Sequence, residues 1–446
     1  MKHEAEITLG TKTTARETGE PEPFRIAVFG DFSGRGRAET ARGIAIDRDN
    51  FDEVMTKLAP SVEVGGVTFS FASLDDFHPD ALVRRLPRES ALPAAPARQV
   101  ATPPRSTAGL LDSMLEEPVA AAARTGDLQD FLNQALAGHT VPVKTSGERA
   151  AEARANASIS DAVRAVLHHP GFRALESAWR GLFLLVRRLE TDAQLQIHLF
   201  DISKQELRRD LMGAKDLRAT AVFRHAPQGK WAVIAGCYTF APEAEDIELL
   251  ARIAMIAQQA GAPFLAAASP QALGCPVLEG MVEPRDWQPD PDAAQYWRAL
   301  RELPEASSIG LLLPRFLLRL PYGKATDSAE TFPFEEFAVP PAHEDYLWGN
   351  PAIAAACLLG QAFSEDGWHM RPDSVRELAR LPLHIYQIDG ETVAQPCAEA
   401  WLSDRAVQAI LDAGIMPLVS ARDEDRILLM RFQSVADPPK ALAGRW

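Results

Sequence analysis

Residues 231–268 hold the pattern that most restricts the fold. Trp231–Gly236 (WAVIAG) is a short apolar run. Glu243–Ala260 carries helical spacing closed by Gly261, and Pro263–Ala268 is a second apolar run. Two strands joined through a helix of that length lie parallel, with a right-handed crossover. The chain is therefore expected to be α/β, of the mixed α+β kind.

The flanking segments extend the alternation. Arg25–Gly30 reads as a short buried strand, and Asp49–Leu58 as a helix with Phe51, Val54, Met55 and Leu58 on one face. Val67–Phe71 alternates as a strand, and Leu74–Arg85 reads as a loop followed by a helix. Ser160 is expected to cap a short helix ending at Pro170. The next helix aligns Phe172, Leu175, Trp179, Leu182, Val186 and Leu189 in one stripe. Leu195, Ile197 and Leu199 alternate as a strand, and Ser203 with Glu206 forms a capping box for a helix ending near Gly213.

Further on, Ile309–Leu313 reads as a buried strand, with Pro314 in the first turn of a short helix. Asn350-Pro351 starts a helix that Gly367 ends. Leu383–Ile388 is a strand, Ser403 caps a helix ending at Gly414, and Met416–Ser420 with Arg426–Ser434 forms a hairpin. Neither an internal repeat nor a heptad pattern is present.

The chain has 446 residues, which predicts two or three domains. A net charge of −15 argues against sequence-independent nucleic-acid binding and against an anionic membrane surface. Cys237, Cys275, Cys357 and Cys397 are far apart and form no CxxC pair, which fits reduced thiols better than disulfides or zinc. Residues 1–23 carry no apolar signal core, and no apolar run reaches bilayer length, so a cytoplasmic protein without membrane insertion is expected.

Composition divides the chain into six stretches. Residues 1–23 read as a flexible tail and 24–86 as a first folded region. Residues 87–108 form a Pro/Ala-rich linker and 109–157 a helical and mobile segment. Residues 158–436 make the main body and 437–446 a C-terminal tail.

Gly30–Gly36 follows a strand and contains three glycines, yet it has neither GxxxxGK[ST] nor GxGxxG, and Asp31 would repel a phosphate. A turn that packs or binds a partner is the expectation. Asp76-Phe77-His78-Pro79 resembles a helix start more than a metal cluster with Asp75 and Asp80. His168 and His169 suit a helix–helix corner, because adjacent side chains diverge on a helix. His343-Glu344-Asp345 is not HExxH, no GxSxG occurs, and no Cys stands beside a His. No catalytic residue, cofactor or metal is expected.

Arg315 and Arg319, spaced i, i+4 on the expected helix, would share a face and hold carboxylates of a neighbouring subunit or of the same chain. Trp179 belongs to the core by its place in the stripe. Trp348, in a Gly-containing loop, suits a core or an interface. Arg315, Arg319, Tyr322 and Trp348 are thus the candidate subunit interface.

These blocks carry a resemblance. Residues 24–86 resemble the small sheath subunit (TssB) of the bacterial type VI secretion system. The blocks are FGDFSGR within Phe24–Arg37, IDRDNFDEV at Ile46–Val54 and LDDFHPDALV at Leu74–Val83. Residues 109–436 resemble the large sheath subunit (TssC). Its blocks are LHHPGFRALESAWRGL at Leu167–Leu182, ISKQEL at Ile202–Leu207, APFLAAASP at Ala262–Pro270, LPRFLLRLPYG at Leu313–Gly323 and YLWGN at Tyr346–Asn350.

The resemblance implies a non-enzymatic structural protein, with a sheath-subunit-like body of mixed sheets flanked by helices. It implies other sheath subunits, the inner tube protein or the baseplate as partners, and an AAA+ unfoldase through a helix near the start of the large-subunit region. Leu110, Leu111, Met114 and Leu115 occupy the similar place. Family large subunits continue beyond the strand at Phe432–Ser434, and the later half of the small subunit is replaced here by the linker. The expectation is a fused, shortened form lacking the inter-subunit linking segment. The alternative is an accessory or regulatory protein that docks on sheath, baseplate or unfoldase.

Overall fold

The computed structural model describes residues 22–35, 43–86, 145–220, 230–278, 283–422 and 424–446. Its centre is a nine-stranded sheet. The strands are β1 (Phe24–Gly30), β2 (Ile44–Ile46), β5 (Leu195–Asp201), β6 (Val233–Phe240), β7 (Phe264–Ala268), β8 (Ile309–Leu313), β11 (Glu377–Leu378), β14 (Ile415–Ser420) and β15 (Ile427–Leu429). They lie in the order β11-β15-β14-β8-β7-β6-β1-β5-β2. The stretch from β14 to β5 is parallel, and antiparallel strands close both edges.

The segment that precedes the linker therefore supplies a central strand. β1 pairs with β5 over its whole length, from Phe24↔Leu195 to Gly30↔Asp201. On its other side Ile26–Phe29 pair with Val233–Gly236 of β6. Alternate β1 side chains face opposite sides of the sheet. Phe24, Ile26 and Val28 enter one hydrophobic cluster, and Ala27 and Phe29 enter the other.

Helices cover both faces. The first cluster takes α1 (Phe51–Leu58), α3 (Ser146–Leu167), α4 (Pro170–Arg188) and α8 (Pro351–Asp366). The second takes α5 (Lys204–Gly213), α6 (Ala244–Ala260), α7 (Pro291–Arg301) and α9 (Asp404–Asp412). α8 is apolar all round and nearly enclosed from Pro351 to Phe363, as a helix between a sheet and other helices must be. The Phe51, Val54, Met55 and Leu58 face of α1 and the Phe172–Val186 stripe of α4 are buried as their spacing predicts. The Ser203–Glu206 capping box and the left-handed Gly261 closure of α6 also form. The crossover from β6 through α6 to β7 joins parallel neighbours.

Several expectations are corrected. Ser160 caps nothing. α3 is one 22-residue helix that starts at a Thr145–Glu148 capping box, and the Ser160 hydroxyl donates to the Pro333 carbonyl at 3.3 Å. Residues 146–157, expected within a helical and mobile segment, are part of that helix. Pro314 opens no helix. Leu313–Pro314 is a cis peptide, and β9 (Phe316–Leu317) pairs with β10 (Trp348–Gly349), because burying both β9 side chains outweighs local helix propensity. β6 starts at Val233 and runs to Phe240, past the expected end at Gly236.

The expected strand at Leu383–Ile388 forms β12 (His384–Ile388), in a separate hairpin with β13 (Glu391–Gln395). The remaining elements are the hairpin β3 (Ser61–Val64) and β4 (Val67–Ser70), and the short helix α2 (Pro79–Val83). The C-terminal tail packs down: Leu442 is buried, and the Ala443 amide donates to the Ser307 carbonyl at 2.8 Å.

Candidate subunit interface

The seam between the two sequence regions is built on the turn that leaves β1. Phe32 and Ser33 amides donate to Asp201 Oδ1 at 2.8 and 3.0 Å, at the end of neighbouring β5. The Gly34 amide donates to Asp31 Oδ1 at 2.8 Å. Burial raises the Asp201 carboxyl above its ordinary value. Trp179 of α4 donates from Nε1 to the Phe32 carbonyl at 2.8 Å and meets the Phe32 ring edge-on at 5.5 Å. The glycine-bearing turn thus directs its amides at carboxylates of its own chain, where a phosphate cradle would leave them open.

Asp76 accepts from the Ala72 and Ser73 amides at 2.7 and 3.1 Å and pairs with Arg85 at 2.5 Å. His78 caps α2, its Nδ1 accepting from the Asp80 amide at 3.3 Å. Asp80 accepts from the Glu330 and Thr331 amides at 2.8 and 3.0 Å, which fastens the small-subunit-like segment to a distant loop. Among the described residues, no group of three His, Cys, Asp or Glu is placed to hold a metal ion. His168 ends α3 and His169 precedes α4, so the histidine pair marks a helix corner.

The four interface candidates divide between two networks. Arg319 is enclosed. Its Nε donates to Glu176 Oε1 at 2.8 Å, and Nη1 and Nη2 donate to Glu336 at 2.7 and 2.9 Å. Arg180 donates from Nε to Glu176 at 2.7 Å and from Nη2 to the Tyr322 hydroxyl at 2.8 Å. The Tyr322 amide donates to Glu336 Oε2 at 2.7 Å, and the Arg319 guanidinium lies 4.1 Å from the Tyr322 ring centroid. Burial opposes ionisation of Glu176, but Arg319 and Arg180 outweigh it and hold the carboxyl below its ordinary range. Burial pushes the Tyr322 phenol up to about 12.

Arg315 and Trp348 belong to the second network. Arg315 grips Glu399 with its amide at 3.1 Å, its Nε at 2.9 Å and its Nη2. His343 Nε2 lies 3.1 Å from the same carboxylate. Trp348 is buried and donates from Nε1 to the His343 carbonyl at 3.1 Å. Arg319, Tyr322 and Trp348 are therefore occupied within the chain, and Arg315, with a side chain 46% exposed, is the one that reaches solvent. Arg315 and Arg319 share no helix face. Leu110, Leu111, Met114 and Leu115 lie outside the described residues.

Sequence reasoning missed the carboxylates Glu176, Glu336, Glu399 and Asp201. Glu176 left one signal: a charge beside Leu175 on the buried stripe of α4, with Arg180 one turn on. No described helix is long and apolar enough to cross a membrane.

Comparison with known proteins accords with this architecture. Residues 151–436 match the family model VipB, described as EvpB/VC_A0108, tail sheath N-terminal domain. Residues 3–98 match the model described as type VI secretion system, VipA, VC_A0107 or Hcp2. The chain is similar to the type VI secretion system sheath protein TssC1 of Pseudomonas aeruginosa, 35% identical over 299 residues. That match covers 64% of this chain and 60% of the relative's length. With a VipB model across more than half of its length and a VipA model ahead of it, the chain belongs to the tail sheath family of the type VI secretion system.

Proposed function

We propose that the chain is a non-enzymatic structural component of a contractile sheath, acting in the cytoplasm, in which the counterparts of the small and large subunits are covalently joined. The observation that carries this reading is β1. A strand from the VipA-like region lies hydrogen-bonded on both sides between two strands of the VipB-like region. The two regions thus complete one sheet, and fusion fixes their ratio at one to one. Other sheath subunits, the inner tube protein and the baseplate are the partners of this reading, with an AAA+ unfoldase docking at Leu110, Leu111, Met114 and Leu115. The relatives it rests on are structural sheath proteins.

Negative-stain microscopy of the purified chain, alone and mixed with an ordinary sheath pair from the same cell, tests the proposal. Tubules, or decoration of existing tubules, are expected. Failure to associate with sheath, tube or baseplate proteins would overturn it. Binding confined to the unfoldase or to unassembled subunits would favour the regulatory reading.

A further inference from the structure

A cavity of about 440 Å³ opens at the carboxyl ends of β6 and β7, where Thr239 and Ala267 line it. It lies beside the reversal of strand order between β1 and β6, the place where open parallel sheets receive ligands. Its volume falls within the range of small-molecule sites.

The charge lining it is unusual for so acidic a chain. Arg173 enters from α4 and Arg315 from the segment after β8, and Ser177 and Asn350 add polar groups. Asn350 caps α8, accepting from the Ala352 amide at 3.0 Å, so the positive end of a 16-residue helix faces the same region. Glu344, on the exposed rim, is the carboxylate among the lining residues.

Arg173 is the telling residue. It is half-buried, and its Nη2 donates to the Tyr346 carbonyl. Yet among the described residues no carboxylate lies within ion-pair distance of it. Arg180, on the same helix, and Arg319 each have a carboxylate partner. Burial lowers the proton affinity of Arg173 and repulsion from Arg315 adds to it, while Asp345 and Glu336, beyond ion-pair distance, offset part of the loss. Two guanidiniums line one cavity; Arg315 is paired with Glu399 outside the lining, and the lining carboxylate, Glu344, stands on the exposed rim. A half-buried guanidinium with no carboxylate in direct contact is costly, and an oxyanion meets its planar fork with two hydrogen bonds.

We propose that this cavity is an oxyanion-binding site, in which a carboxylate or phosphate group seats between Arg173 and Arg315. Nothing in this proposal depends on sheath assembly.

Isothermal titration calorimetry on the full chain at fixed ionic strength tests it, with inorganic phosphate and an end-blocked tetraglutamate peptide as probes. Saturable binding of at least one probe is expected. Phosphate alone would assign a free anion, and the peptide alone would assign an acidic protein segment. R173Q should weaken that binding about tenfold or more, the loss of a charge-assisted hydrogen bond. R405Q, on the exposed side of α9, should leave it unchanged. If circular dichroism shows R173Q unfolded, A174E places a carboxylate at the exposed cavity wall beside Arg173 and should abolish binding in a folded protein. Absence of saturable binding for both probes at millimolar concentration, or equal binding in the wild type and a folded R173Q or A174E, would overturn the proposal.

Discussion

Trp179 of α4 donates its indole proton to the Phe32 carbonyl at 2.8 Å, across 147 residues of sequence. The bond joins the VipB-like region to the turn that ends the VipA-like central strand. Phe32 and Phe51 both meet the same indole edge-on, at 5.5 and 5.6 Å. One fully buried side chain therefore holds three pieces of the small-subunit-like region: the turn, α1 and, through the turn, β1.

W179F keeps a ring in that position but leaves the Phe32 carbonyl buried without its donor. Stability should fall by about 1–3 kcal/mol, the range for an unsatisfied buried group. Urea unfolding followed by circular dichroism measures it. If β1 is integral to the sheet, the variant should still unfold in one transition. A separate early transition for the VipA-like region would show that the seam is only a docking contact.

Some of this was legible. The α4 stripe and β1 announce themselves through local periodicity, because side-chain burial alternates with the period of the element. The neighbours of β1 do not. β1 meets β5 and β6 across more than a hundred residues, and parallel pairing leaves no local mark such as a turn. The same blindness hid the Arg319 network. Arg319 is expected to hold carboxylates of a neighbouring subunit or of its own chain, and the sequence cannot choose because its carboxylates, Glu176 and Glu336, stand in other segments. Ser160 misled because a good capping residue can also sit inside a helix. The stronger start, the Thr145–Glu148 box, lay in a polar stretch that composition alone marks as loose.

Gly34 tests whether the glycine-bearing turn is structural. Its φ is +69°, and a Cβ there would stand 2.5 Å from the Ser61 carbonyl oxygen, a backbone atom that cannot swing aside. G34A should cost about 2 kcal/mol or more, combining left-handed strain with overpacking. The thermal midpoint measures it. A neutral G34A would mean that the turn is free to move.

Arg319 is the counter-ion of two enclosed carboxylates, Glu176 and Glu336. R319M removes the charge while keeping most of the volume, which strands Glu336 and leaves Glu176 with Arg180 alone. The expected loss is about 3–5 kcal/mol. R319K should recover only part of it, since an ammonium cannot bridge two carboxylates with a planar fork. Chemical denaturation of the two variants separates these outcomes. Equal stability of R319M and wild type would place Arg319 outside the folding network and leave it available to a partner subunit.

Glu399 gives the acid dependence. Burial opposes its ionisation, but hydrogen bonds from Arg315 and His343 outweigh burial and hold the carboxyl at about 2, below its ordinary 4.5. A lowered folded-state value stabilises the protein above the unfolded value. That contribution should be complete above pH 4.5 and should fade as pH falls toward about 2. E399Q cannot titrate. It should be less stable than wild type at neutral pH, by about 1–3 kcal/mol for the Arg315 and His343 bonds it weakens. It should also lose less stability across the acid window, its slope reduced by up to one proton. Arg315 is half-exposed, so added salt should narrow the gap between the two proteins at neutral pH. Urea midpoints measured from neutral pH down through that window provide the check. Parallel pH profiles for E399Q and wild type would remove Glu399 from the acid response.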